Sequence, residues 1–246
     1  MGNDASAAFV STIGFLHTAG IHVGTFDALV AEHSTPAEEF VAVHLVEPSL
    51  LDDARTLGFT DALAKQVTSA LHELSDRGAF SVVCTCSTIG ALAETCGREL
   101  GVSVVRVDRP MARRAVQTGS RLLVVAALAS TVDATRALLV EEAALVGLVS
   151  AIELLVVDEA WTAFEAGDMR EYFSCIETKI RRCIAHFACD VVVLAQASMA
   201  GCAALLDDLG IPVLSSPSLA VEALMDRARQ PLPDPFITDD IHQGTL

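Results

Sequence analysis

The chain has 246 residues, 52% of them hydrophobic and 20% charged, which is enough to bury one or two full cores. Its formal net charge is −16, from 32 acidic side chains against 16 basic ones, and that field repels phosphate backbones, which excludes nucleic acid as a partner. With no uncharged apolar stretch of about 18 residues and no basic start before Ser11, neither a membrane span nor an export signal is expected, and the protein is placed in the cytoplasm. Residues 1–6 fit the loose N-myristoylation pattern, which short sequences match by chance.

Apolar runs at 12–16, 40–46, 81–86, 103–107, 121–128, 152–157, 190–195 and 211–214 read as strands, separated by longer segments of helical period. Such alternation predicts an α/β fold with parallel strands and crossover helices. Eight strands would suit a barrel, but the two halves of the chain echo one another. Residues 79–90 match 189–200, which sets Cys86 opposite Gln196, and 101–110 match 210–217. Upstream, Thr25-Phe26-Asp27 matches Thr131-Val132-Asp133, and 41–47 match 152–158.

Four landmarks in one order indicate a duplicated unit: two lobes related by an approximate two-fold axis, each an open parallel sheet flanked by helices. Loops at the carboxyl ends of both sheets then face a shared cleft. Because the helix after Pro217 (219–226) repeats the one after Pro110 (111–117), the last segment is expected to cross back. The first lobe is thus 1–109 plus 218–246, and the second 110–217. The tail with Pro231, Pro233 and Pro235 is expected to be extended.

The seven cysteines are odd in number and include no C-x-x-C pair, and no His or Cys pair elsewhere has zinc spacing. Neither a disulfide framework nor a metal is expected. Cys84, Cys96, Cys175, Cys183, Cys189 and Cys202 read as small core hydrophobes. Cys86 differs: it ends a strand and is followed by Ser87 and Thr88, either of which caps a helix. Its thiol then lies at the positive end of that helix, where thiolate is favoured. The same amides and hydroxyls suit a ligand carboxylate despite the acidic surface.

The run Val82-Val83-Cys84-Thr85-Cys86-Ser87-Thr88 resembles the strand and Cys-(Asn/Ser/Thr)-Thr loop of the aspartate/glutamate/hydantoin racemase superfamily. Residues 121–128 with Ser130-Thr131 and Ala134-Thr135-Arg136 are similar to the start of its second lobe, and 211–217 to its closing strand. The resemblance covers nearly the whole chain. It implies two pseudo-symmetric lobes, no cofactor, and an amino acid or other small carboxylate as substrate. Family racemases carry a second cysteine in a Leu-Gly-Cys-(Thr/Ala) loop, where this chain has Leu194-Ala195-Gln196-Ala197-Ser198-Met199. Inverting an α-carbon needs one group to take the proton and an opposite one to return it, and Gln196 does neither.

The resemblance further places His17 at the cleft, where it would pair with Cys86, and assigns carboxylate binding to Ser87, Thr88, Ser130 and Thr131. Gln196, Ala197 and Ser198 become substrate contacts. Asp108-Arg109-Pro110 and Glu47-Pro48-Ser49 read either as solvated turns or, through the arginine, as a second carboxylate site. Trp161 reads as packing, and His22, His33, His44, His72, His186 and His242 carry no motif.

Four functions compete. The first is a cofactor-independent isomerase in which Cys86 exchanges a proton beside a carboxylate. The others are a one-thiol decarboxylase or lyase of the arylmalonate decarboxylase type, a Cys86–His17 hydrolase, and a non-catalytic small-carboxylate binder. The helical surface, rich in Ala and Leu, suggests a homodimer or homotetramer.

Overall fold

A computed structural model describes residues 9–229. The proline-bearing tail and the first eight residues lie outside the described residues. The first sheet contains β1 (Phe9–His17), β2 (Glu38–Val46), β3 (Ser81–Cys84) and β4 (Val104–Arg106), all parallel, in the order β2-β1-β3-β4. The second contains β5 (Arg121–Ala126), β6 (Ala151–Val156), β7 (Val191–Leu194) and β8 (Val213–Ser215), also parallel, in the order β6-β5-β7-β8. There is no barrel. The same topology is built twice, as the internal echo implied.

In that strand order the chain reverses direction across the sheet between β1 and β3, and between β5 and β7. A crevice opens at the carboxyl ends of those strand pairs. Cys84 stands beside Leu16 in the first sheet, as Leu194 stands beside Val125 in the second, which makes Cys86 and Gln196 equivalent. The register corrects one landmark: Leu45 faces Leu16 as Leu155 faces Val125, so His44 corresponds to Leu154, one residue away from the sequence match.

Helices α1 (His22–His33), α3 (Asp61–Asp76) and α4 (Ser87–Leu100) cover the first sheet; α6 (Ala129–Leu145) and α8 (Met169–Ile184) cover the second. The strand ends also correct the sequence boundaries. β3 stops at Cys84 and β5 at Ala126, because Cys86 and Leu128 already serve as helix N-caps in extended conformation. The segment after β2, read at Glu47-Pro48-Ser49 as a solvated turn, forms α2 (Pro48–Thr56), and the helix-period segment around Trp161 forms α7 (Asp158–Glu165). Pro48 sits in the first turn of α2, where its missing N–H costs nothing.

Two connections join the lobes. After β4 the chain enters α5 (Arg109–Thr118), whose Met111, Ala112 and Ala115 pack into the second lobe with Val124 and Val193. After β8 it enters α9 (Ser216–Arg229), whose Ala220, Val221, Leu224 and Met225 pack against Ile13, Phe15 and Phe26 of the first. Asp108-Arg109-Pro110 is therefore a helix start rather than a solvated turn. Arg106 and Asp108 are buried and joined by two hydrogen bonds of 2.9 and 2.8 Å, and Arg106 also donates to the Ala134 carbonyl on α6. Arg109 ties Glu94 on α4 to Glu141 and Glu142 on α6.

Gly97 allows α4 to lie close on β4; a Cβ there would collide with Val104. Among the described residues no helix is long and apolar enough to cross a membrane. Cys84, Cys96, Cys189 and Cys202 are buried, while Cys175 and Cys183 on α8 are half-buried and pack at the margin of the second lobe's core.

Candidate active site

The two crevices face each other across one cleft of about 170 Å³, the scale of an amino acid rather than a nucleotide. Cys86 caps the 14-residue α4 in extended conformation, 9% exposed, with its side chain at the cleft. No side chain caps that helix, so its first amides are available to a ligand. Thr88 Oγ1 stands 3.4 Å from both Ser130 Oγ and Thr131 Oγ1, a cluster of hydroxyls contributed by both lobes. Ser87 Oγ instead donates to the Ala195 carbonyl at 3.1 Å and joins the cleft floor of one lobe to the other.

From the second lobe, Gln196 fixes its carbonyl oxygen on the Ala127 N–H. Its Nε2 has no protein partner among the described residues, which leaves an oriented donor at the cleft. Ser198 Oγ is 2.7 Å from the Tyr172 hydroxyl, and burial raises the pKa of that phenol, keeping it protonated. Ala197 completes this loop in the cleft wall. The sequence-predicted residues Cys86, Ser87, Thr88, Thr131, Gln196, Ala197 and Ser198 thus converge. Ser130 stands behind the wall, reaching the cleft only through Thr88.

His17 does not pair with Cys86. It is fully buried, with Nδ1 2.9 Å from Thr85 Oγ1 and Nε2 2.8 Å from His44 Nδ1, so neither nitrogen is left for the thiol. Residue 17 points to the α1 face of the sheet because β1 alternates and Phe15 already occupies that face. Burial, then the neighbouring His44 and His22, push the His17 pKa down to about 3, so the ring is neutral. The imidazole that does line the cleft is His22, at the start of α1, pushed down to about 4 by burial.

The cleft mouth comes from α2 and α7, and Trp161, read from the sequence as packing, lines it. Asp52 and Arg55 of α2 share one face, and Trp161, Phe164 and Glu165 of α7 share another, opposite. Arg55 lies 5.9 Å over the Trp161 ring, whose Nε1 donates to Glu165 at 2.7 Å. Arg109 is remote from this cleft, held by its glutamates. The i, i+3 and i+4 spacings were present in the sequence as the signal for these residues. Among the described residues no three His, Cys, Asp or Glu side chains converge as a metal site.

Twin parallel sheets with a cysteine loop facing a polar loop define an α/β fold of the racemase class. Residues 24–224 match the Asp/Glu/Hydantoin racemase family model, and the chain belongs to that family of isomerases. The fold resembles Picrophilus torridus aspartate racemase, with TM-score 0.68 and 14% identity, over 92% of this chain and 96% of that one. Francisella tularensis glutamate racemase in complex with D-glutamate gives TM-score 0.64 and 14% identity, over 88% and 80% of the two chains. Allantoin racemase from Klebsiella pneumoniae gives 0.60 and 18%, over 89% and 87%. No curated protein matches the chain significantly.

Proposed function

We propose that the protein is a cofactor-independent isomerase in which Cys86 exchanges a proton at the carbon next to a carboxylate. The observation that carries this reading is the placement of Cys86 at the head of α4, in a cleft where hydroxyls of both lobes and the Gln196 amide meet. Free amides of the first turn, with Thr88 and Thr131, hold the carboxylate and stabilise the negative charge that spreads onto it as the α-proton leaves. Gln196 orients the substrate from the other lobe. The relatives of known structure are named as aspartate, glutamate and allantoin racemases, which makes these three the first substrates to try; in allantoin a ring carbonyl takes the place of the carboxylate.

A thiol on one face and an amide on the other also supports a second reading, the one-thiol decarboxylase or lyase, since the Gln196 amide neither takes nor returns a substrate proton. Incubation with each substrate in D2O separates the cases. Exchange of the α-proton in the native protein and its loss in Cys86→Ser are expected; exchange that survives the substitution removes Cys86 from the mechanism. A single product enantiomer from a prochiral malonate favours the second reading. The protein is expected to act in the cytoplasm as a homodimer or homotetramer, which sedimentation of the full chain measures.

A further inference from the structure

One buried set of polar groups remains unused by this mechanism. Three hydrogen bonds in series, of 2.9, 2.8 and 2.9 Å, connect Thr85 at the cleft, His17 on β1, His44 on β2 and Asp27 on α1, whose carboxylate is exposed. The fold does not require them. At the matching positions of the second lobe stand Ala195, Ala126 and Leu154, packed in the apolar core against α6, while Asp133 is left on the surface. The same scaffold is therefore built once with an imidazole pair and once with aliphatic groups.

The order of donors follows from the inventory of protons. The Asp27 carboxylate only accepts, so His44 donates from Nε2. A neutral His44 then accepts at Nδ1, His17 donates from Nε2, and His17 Nδ1 accepts from the Thr85 hydroxyl. The Leu16 carbonyl, which receives the Thr85 N–H at 3.0 Å, also accepts from the Thr85 hydroxyl at 3.1 Å through its second lone pair and so competes with His17 for that proton. With every imidazole neutral, all hydrogen bonds point outward from the cleft, and the Thr85 oxygen offers its lone pairs to whatever binds there.

We propose that Thr85, His17, His44 and Asp27 form a proton relay that takes a proton from a ligand O–H or N–H in the cleft and holds it on His44 beside Asp27. Thr85 oxygen accepts the ligand proton as its own passes to His17 Nδ1, and the His17 Nε2 proton passes to His44 Nδ1. The ligand gives up one proton, His44 gains one positive charge, and His17 is left as its Nδ1–H tautomer with no change of charge. The proton is passed on to His44 because that ring, and not His17, contacts the Asp27 carboxylate, at 2.9 Å. His22, 6.1 Å from His17, is the further titratable ring facing the relay, and Arg77 reaches only the main-chain carbonyl of His44. The relay rests on the acid–base reading of the cleft and gives it a second proton-handling group, where the second cysteine loop has become Gln196.

Nitrogen-15 NMR of the full, histidine-labelled protein decides the direction without any substrate. Both His17 and His44 are expected as Nε2–H tautomers, and Asp27→Ala, a surface change, is expected to release that preference. A proton on His17 Nδ1 would mean that His17 donates to Thr85 and would overturn the relay. Deuterium exchange into aspartate, glutamate and allantoin supplies the second arm. Thr85→Val is expected to lower kcat about 100-fold with KM unchanged, and Thr85→Ser to restore it. Exchange lost in Cys86→Ser but unaffected in Thr85→Val overturns the relay and leaves the functional reading standing. If no probe exchanges, the acid–base reading fails for those substrates, and the tautomers still decide the direction.

Discussion

The two lobes share one topology and differ in what they place at the strand ends. In the first lobe, Thr85, His17, His44, Arg106 and Asp108 fill positions where the second has Ala195, Ala126, Leu154, Ser215 and Pro217. The second lobe is thus an internal control. It shows that a β2-β1-β3-β4 sheet closes well with aliphatic groups there, so the polar set of the first lobe answers to something other than folding. The cleft inherits this asymmetry: its thiol and its one histidine, His22, come from one side, its amide and the Trp161 and Phe164 rings from the other.

Several changes break or sharpen that contrast. The largest effect is expected from Cys86→Ser, a loss of about 10²–10⁴-fold in turnover, read by exchange in D2O. The equivalent change Gln196→Ala should reduce affinity only about tenfold, as for one hydrogen bond, measured as KM. Equal effects would contradict the asymmetry. Next comes Arg106→Met, which strands the buried Asp108 and should cost about 3–5 kcal/mol in urea unfolding. The double change Arg106→Met with Asp108→Leu should recover part of that loss; no recovery would show that the pair acts through packing alone.

Transplanting polarity tests the control directly. Ala126→His inserts an imidazole with no partner into the second core and is expected to destabilise by about 2–4 kcal/mol. An unchanged unfolding midpoint would mean that either lobe accepts the ring. A smaller effect concerns pH. His17 and His22 have folded pKa values of about 3 and about 4, below the ordinary 6.5 of the unfolded chain. Their contribution is fully present above pH 6.5 and declines as pH falls, flattening below about 4 for His22 and about 3 for His17. The slope should not exceed about 1.4 kcal/mol per pH unit for each ring. His22→Asn should remove roughly its share of that slope.

Much of this was legible in the sequence because duplication writes the same pattern twice. The match of Cys86 with Gln196 needed only the apolar runs of β3 and β7, and the chain register agrees with it. What the sequence hid was direction. His17 ends its strand next to the cleft, yet β1 alternation turns it to the α1 face, and only the pairing of β1 with β2 brings His44 alongside. Arg55 and Trp161 were hidden differently: each sits on a short helix whose cleft-facing side shows only when the two lobes are set opposite one another.

The chain passes between the lobes twice, before α5 and before α9, and the second passage returns α9 to the sheet where the chain began. Two bodies joined by one strap are tied at a single point; joined by two, they are tied at both crossings. The Arg106 bond to the Ala134 carbonyl and the Arg109 ion pairs to α6 add to these ties. The order of the chain itself thus sets Cys86 opposite Gln196.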